Sequence, residues 1–291
     1  MSTTRISPVW LVLVGIVSVQ LGTVVSKGQF GDIPPVGMVF LRLTTSSLIV
    51  LAIARPRLRG RPLSAWRPVL ALGLALGAMN WAFYESFARI PIGVAVTIEF
   101  VGPLSLAAVG SRRPRDFVWV GLAALGITLF GAGPTKVDPV GFGLALLAGA
   151  CWALYIVSTA ATGRRWSGVE GLALASTIAA LAIAPFAVVL AGARLMEPRL
   201  LLLGALVGLL SSVVPYSLEM MALRTLPPRV FGILMSLEPA AAALAAAVLL
   251  REWLTPPQLL AIACVTAASV GAARTESAPE SLPPRRTVGL S

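Results

Sequence analysis

Pro91-Ile92-Gly93-Val94-Ala95-Val96-Thr97-Ile98-Glu99-Phe100-Val101-Gly102-Pro103 carries a carboxylate through an apolar run, and Met235-Ser236-Leu237-Glu238-Pro239 does the same in the other half of the chain. Each glutamate is followed thirteen residues later by an arginine, Arg112 or Arg251. An acidic side chain near a bilayer midplane costs about 2.5 to 3.5 kcal/mol on insertion scales. Two of them in matching positions demand a partner or a use, and they point to a duplicated membrane unit.

Composition supports a bilayer setting. With 57% hydrophobic residues, 12% charged residues and a mean hydropathy of +0.88, the chain has too little polar surface to cover a soluble globule of 291 residues. The net charge of +11 would suggest nucleic acid in a soluble domain, but nearly all the cations lie in short gaps between apolar stretches, so no nucleic-acid partner is expected. The absence of histidine excludes an imidazole metal site, a histidine proton relay and a Ser-His catalytic pair. Cys151 and Cys264 stand singly in apolar segments, as free thiols do, and support no disulfide scaffold.

A hydrocarbon core about 30 Å thick needs about 20 apolar residues per helix. Ten segments are expected to span it: Pro8 to Ser26, Pro35 to Ala54, Pro68 to Ala88, Pro91 to Val109, Phe117 to Gly133, Val140 to Ala161, Gly171 to Gly192, Leu200 to Leu223, Val230 to Leu250 and Pro256 to Ala273. Five begin at a proline, where a missing N–H does no harm. Although Arg5 precedes the first run as in a secretory signal, no small-residue cleavage site follows, so it reads as a retained helix. Sixteen Lys and Arg fall on the side of both termini, among them Arg55, Arg57, Arg59, Arg61, Arg67, Arg112, Arg113 and Arg115. Six fall on the other side, including Lys27, Arg89 and Lys136, and Arg42 lies within a span. The positive-inside rule puts both termini in the cytoplasm of a multi-pass cytoplasmic (inner) membrane protein. The tail 274–291, rich in Ser, Pro, Glu and Arg, reads as disordered and cytoplasmic.

An offset of about 136 to 139 residues aligns Lys27 with Arg164, Pro91 with Pro227, Glu99 with Glu238 and Arg112 with Arg251. Gly73-x3-Gly77 before Tyr84 aligns with Gly204-x3-Gly208 before Tyr216. Five spans per half is an odd number, so the second copy must enter the membrane from the opposite side. The expected fold class is all-α integral membrane, ten transmembrane helices as two inverted five-helix repeats, at 1–135 and 136–273. Alternating-access transporters use this architecture to switch a central site between two faces.

Depth follows from the helical rise of about 1.5 Å per residue. Arg42, seven residues past Pro35, and Glu99, eight past Pro91, are expected at similar depth. They either form a structural ion pair, or Glu99 exchanges a proton or meets a substrate ammonium while Arg42 meets a substrate carboxylate. Glu238 either serves a Glu-Pro kink, satisfied by Ser236 or backbone, or acts in the same chemistry. Asn80 and Tyr84, with Glu85, form one polar stripe, and Ser212, Tyr216 and Glu219 form another. Glu85 and Glu219, about one turn from Arg89 and Arg224, read as interfacial. Gln20, Trp152 and Tyr155 complete the candidates for substrate binding or proton coupling, against the plainer role of packing. The glycine pairs bring helix backbones together, and the alanine-rich Ala240–Ala247 surface packs within a protomer or between two copies of a homodimer.

These residues resemble the drug/metabolite transporter superfamily with its paired EamA-type repeats, and within it the threonine/homoserine exporter group, over roughly Pro8 to Ala273. The resemblance is carried by Ser18-Val19-Gln20-Leu21-Gly22 with Lys27, Leu41-Arg42-Leu43, Pro91 to Ala95 leading to Glu99-Phe100-Val101-Gly102-Pro103, Ser111-Arg112-Arg113-Pro114 with Asp116-Phe117-Val118-Trp119, and Ser236-Leu237-Glu238-Pro239-Ala240. It implies ten helices, cytoplasmic termini, a central cavity and export of small metabolites. Arg251-Glu252 departs from a pattern that often reads Gly-Glu, which changes that helix end.

The expected function is proton-coupled secondary export of small polar amino acids, with protons, a small-molecule substrate and membrane lipid as partners and neither cofactor nor metal. A rival is a broad exporter of hydrophobic or cationic compounds, favoured by a cavity dominated by aromatic residues. An integral membrane enzyme is disfavoured, because no span holds Asp, His or a metal-ligand cluster. In a non-transporting scaffold, buried charges would be costly ornaments. No P-loop is present for an ATP-driven pump.

Overall fold

The computed structural model describes residues 7–56, 58, 61–110, 116–130 and 137–275. Among the described residues the chain is all-helical: α1 (Pro8–Lys27), α2 (Pro35–Ala54), α3 (Leu63–Phe87), α4 (Ile92–Glu99), α5 (Val101–Gly110), α6 (Asp116–Leu129), α7 (Pro139–Gly163), α8 (Glu170–Ala191), α9 (Pro198–Gly208), α10 (Val214–Ala222), α11 (Pro228–Met235), α12 (Glu238–Leu250) and α13 (Pro256–Thr275). Arg5, Arg57, Arg59, Arg112, Arg113, Arg115, Lys136, the Ser111–Pro114 segment and the tail from 276 lie outside the described residues.

Proline opens α1, α2, α7, α9, α11 and α13, where its fixed φ suits the first turn. Asp138 caps α7, accepting from the Val140 and Gly141 amides at 3.1 and 3.4 Å. Among the described residues, seven helical segments are long and apolar enough to cross a membrane, with shorter apolar helices at Ile92–Ala107 and Phe117–Leu129. Side chains such as Val189, Leu244 and Val248 stand exposed around the bundle, the arrangement a lipid solvent requires. Cys151 and Cys264 are free and half-buried.

Three expected spans are interrupted, each near a proline. Pro103 returns no N–H to the Glu99 carbonyl four residues back, and the helix breaks at Phe100 between α4 and α5. Pro239 likewise leaves the Met235 carbonyl, and α11 and α12 are interrupted at Ser236-Leu237 within one apolar run, Arg229–Leu250, in keeping with the Glu-Pro kink expected there. Pro215 leaves the Ser211 carbonyl, beside a widened π turn at Leu209–Val213 that joins α9 to α10. Pro68 lies inside α3, which begins earlier than expected, at Leu63. The Ser64 carbonyl it leaves accepts from Arg165 Nη1.

Small residues set the crossings. A Cβ on Gly73 would lie 2.7 Å from Ile178 Cβ on α8, and one on Gly208 would lie 3.1 Å from the Arg42 carbonyl on α2. At Gly102 an added Cβ would overlap the Gly149 carbonyl, so α5 and α7 meet backbone to backbone. Ala242 and Ala246 are buried, and Ala243 lies against Gly93 of α4, so this alanine surface is used within the protomer.

Ion pairs tie connections at the two ends of the bundle. At one end Arg61 meets Glu170 at 3.2 Å and its guanidinium lies 4.7 Å from the Trp166 ring centroid, linking the α2–α3 and α7–α8 connections. At the other, Arg199 meets Asp32 at 3.0 Å, and Lys27 meets Glu252 at 2.5 Å.

Candidate functional site

A cavity of about 570 Å³ lies within the bundle, its lining drawn from α1, α2, α3, α4, α5, α7, α10, α11, α12 and α13 and from the π turn. Eight of the nine sequence candidates line it: Gln20, Arg42, Asn80, Glu99, Trp152, Tyr155, Tyr216 and Glu238. Tyr84 does not. It is fully buried behind Arg42, with its hydroxyl 3.3 Å from Arg42 Nη1 and 3.2 Å from Ser26 Oγ.

Glu99 ends α4 and Glu238 begins α12, so both helix breaks deliver a carboxylate to the same space. Their exposures of 8% and 9% leave them nearly buried, with neither joined to a cation within 4 Å among the described residues. Of the two readings left open for these charges, a structural Arg42–Glu99 ion pair is not formed among the described residues. Arg42 Nη2 donates to the Ser211 carbonyl at 3.0 Å and Nη1 to Tyr84, while Nε is buried without a hydrogen-bond partner. Ser236 does not satisfy Glu238; its hydroxyl donates back to the Gly232 carbonyl at 2.9 Å.

The two stripe glutamates part company. Glu85 pairs with Arg89 one turn on, at 2.7 Å, as an interfacial residue would. Glu219 instead lines the cavity, correcting its interfacial reading. Its i, i+3 spacing from Tyr216 was the signal, and proximity to Arg224 hid it. Ser211, Thr23 and Phe100 were also missed, since small hydroxyls and Phe are common in apolar helices. Trp152 packs edge-on against Phe100 at 5.0 Å between centroids, and Tyr155 and Tyr216 are neighbours from α7 and α10. Among the residues that line the cavity, two further buried atoms lack a hydrogen-bond partner within the described structure, Gln20 Oε1 and Ser211 Oγ.

The lining reaches Ala107, Phe231 and Ala273, in the end turns of α5, α11 and α13, at the end of the bundle where α1 starts and α13 stops. The opposite end is sealed. Lys27 Nζ donates to the Ile90 carbonyl at 2.9 Å and pairs with Glu252, whose second oxygen accepts from the Ile92 amide at 3.0 Å. Beneath this clamp Phe87, Ile90 and Ile92 are buried, and Phe30 stacks on Phe87 at 5.4 Å.

A bundle of apolar helices around a charged central cavity that is open at one end and closed at the other defines a membrane transporter. The chain belongs to the EamA-like transporter family, whose model matches residues 6–132 and again 139–274. It is similar to the threonine/homoserine exporter RhtA of Escherichia coli strain K12, 44% identical over 279 residues that cover 93% of this chain and 94% of that protein. The RhtA of Salmonella typhimurium strain SL1344 is 44% identical over 284 residues, covering 94% and 95%. One solved crystal structure, 18% identical, matches 92% of this chain and 99% of its own with a TM-score of 0.62, a likeness of fold.

Proposed function

We propose that the protein is a secondary active exporter of small polar amino acids of the threonine/homoserine class. It would work across the cytoplasmic membrane by alternating access between two inverted five-helix repeats, 1–135 and 136–273, with proton coupling. One observation carries this reading: a single cavity joins one guanidinium, Arg42, to three carboxylates, Glu99, Glu219 and Glu238, contributed by both halves of the chain. That charge set suits a zwitterion. Arg42 receives the substrate carboxylate, one glutamate receives the ammonium, and a second is left to take up and release a proton. Asn80, Gln20 and the tyrosines offer hydrogen bonds to a side-chain hydroxyl, and Trp152 forms part of the wall.

The cavity's open end carries α1's start and α13's stop, which the positive-inside count assigns to the cytoplasm. The substrate then loads from the cytoplasm, and export requires the Lys27–Glu252 end to part while the other closes. The likeness to the RhtA exporters supports the cargo class.

The test is flux from proteoliposomes holding threonine or homoserine, with aromatic and cationic competitors, with and without a proton gradient. Gradient-dependent export of the two amino acids that excess aromatic or cationic compounds fail to block is expected; absence of such flux overturns the reading. A second reading, a broad exporter of hydrophobic or cationic compounds, draws on the six aromatic side chains in the lining, Phe83, Phe100, Trp152, Tyr155, Tyr216 and Phe231. Strong competition by such compounds in the same assay would favour it.

A further inference from the structure

The guanidinium of Arg42 is held in a way its own helix does not explain. Pro215 has no N–H, so the Ser211 carbonyl, four residues before it, receives no helical hydrogen bond from that position. The π turn at Leu209–Val213 widens the helix at the same place, a distortion common at functional sites. The carbonyls exposed there are taken up from other helices. Leu210 accepts from Ser18 Oγ of α1 at 2.7 Å, and Ser211 accepts from Arg42 Nη2 of α2 at 3.0 Å. From behind, Tyr84 holds Nη1 by its hydroxyl, with Arg42 Cζ 5.6 Å from the ring centroid, and is itself anchored to Ser26.

A guanidinium has five N–H donors in a rigid fork. Ser211 and Tyr84 occupy one on each terminal nitrogen, which leaves Nε–H and one N–H on each Nη for a ligand. Nε is buried and without a partner among the described residues, a costly state, and the Arg42 side chain lines the cavity a substrate would enter. We propose that Pro215, by withholding an N–H from Ser211, and Tyr84 are positioning residues that orient Arg42 to grip the substrate carboxylate. This rests on the reading of Arg42 as the carboxylate-binding residue. It predicts that restoring an N–H at position 215 lets the helix reclaim the Ser211 carbonyl and frees the guanidinium to swing.

The measurement is threonine counterflow in proteoliposomes containing the full chain, with threoninol, which lacks the carboxylate, as competitor. Pro215→Ala is expected to raise KM for threonine about tenfold, the loss of one hydrogen bond to a charged group. Its kcat should stay near the wild-type value, and the preference for threonine over threoninol should fall in step with KM. Pro185→Ala, which removes a mid-helix proline of α8 outside the cavity, should leave that preference unchanged. An equal shift there would mean a general helix effect and overturn the proposal. Arg42→Gln separates the two levels: if it keeps the preference, the underlying reading fails; if it loses the preference while Pro215→Ala keeps it, only the positioning role fails. Should Pro215→Ala not fold, Tyr84→Phe decides, since it deletes one hydroxyl; loss of preference supports the proposal and an unchanged preference sinks it.

Discussion

At the scale of single residues, the glutamates sort by what surrounds them. Glu85 has a cation one turn away and a solvated edge, and such pairs contribute about 1 kcal/mol or less, so Glu85→Gln should leave flux close to wild type. Glu99→Gln and Glu238→Gln should behave otherwise. One of the two is expected to abolish dependence on the proton gradient while keeping amino-acid exchange, and the other to weaken substrate binding. Normal, gradient-driven transport by both variants would remove these carboxylates from the mechanism. Glu99, Glu238 and Arg42 were legible in the sequence because charge inside a long apolar run is conspicuous. The partners of Arg42 were not. It bonds to a backbone carbonyl and a tyrosine from distant segments, and a backbone acceptor carries no sequence signature.

At the scale of elements, the apolar runs and the bend at Glu238-Pro239 were readable, while the interruption at Phe100 and the π turn before Pro215 were not, although every proline responsible was in view. A proline marks which carbonyl loses its partner; whether the helix kinks, widens or breaks depends on what donates to that carbonyl and its neighbours. Glycine positions show the same division. Gly102 meets the Gly149 carbonyl, so Gly102→Ala should destabilise the protein by about 1 to 3 kcal/mol through overpacking. Gly121→Ala, with nothing within 4 Å of the added carbon, should not; thermal unfolding in detergent distinguishes them. Arg251 ends α12 at φ 58° and ψ 31°, a left-handed conformation that suits glycine. Arg251→Gly should therefore raise stability by about 1 kcal/mol in the same assay, with transport unaltered. No gain would mean that contacts of the arginine side chain offset the backbone strain.

At the scale of the whole molecule, the two ends differ in how they are closed. Lys27, Glu252 and the Ile90–Ile92 segment join three connections at the sealed end, with each charged side chain 19% exposed. Glu252→Gln should weaken that closure by ~1 kcal/mol. With Cys151 and Cys264 replaced by alanine, a Thr23→Cys label site should then react about fivefold faster with an impermeant thiol reagent added from that side. The reversed pair, Lys27→Glu with Glu252→Lys, should restore slow labelling, and an unchanged rate in Glu252→Gln would show that the apolar layer alone keeps this end shut. Most of α1's neighbours belong to α9 through α12 and the π turn between them, and its Ser18 donates to a carbonyl 192 residues away. α1 therefore leaves the ribosome well before most of the helices it packs against. Until they emerge, the Ser18 hydroxyl lacks its native acceptor, the Leu210 carbonyl, and the nascent chain must shelter it in the translocon or against lipid headgroups.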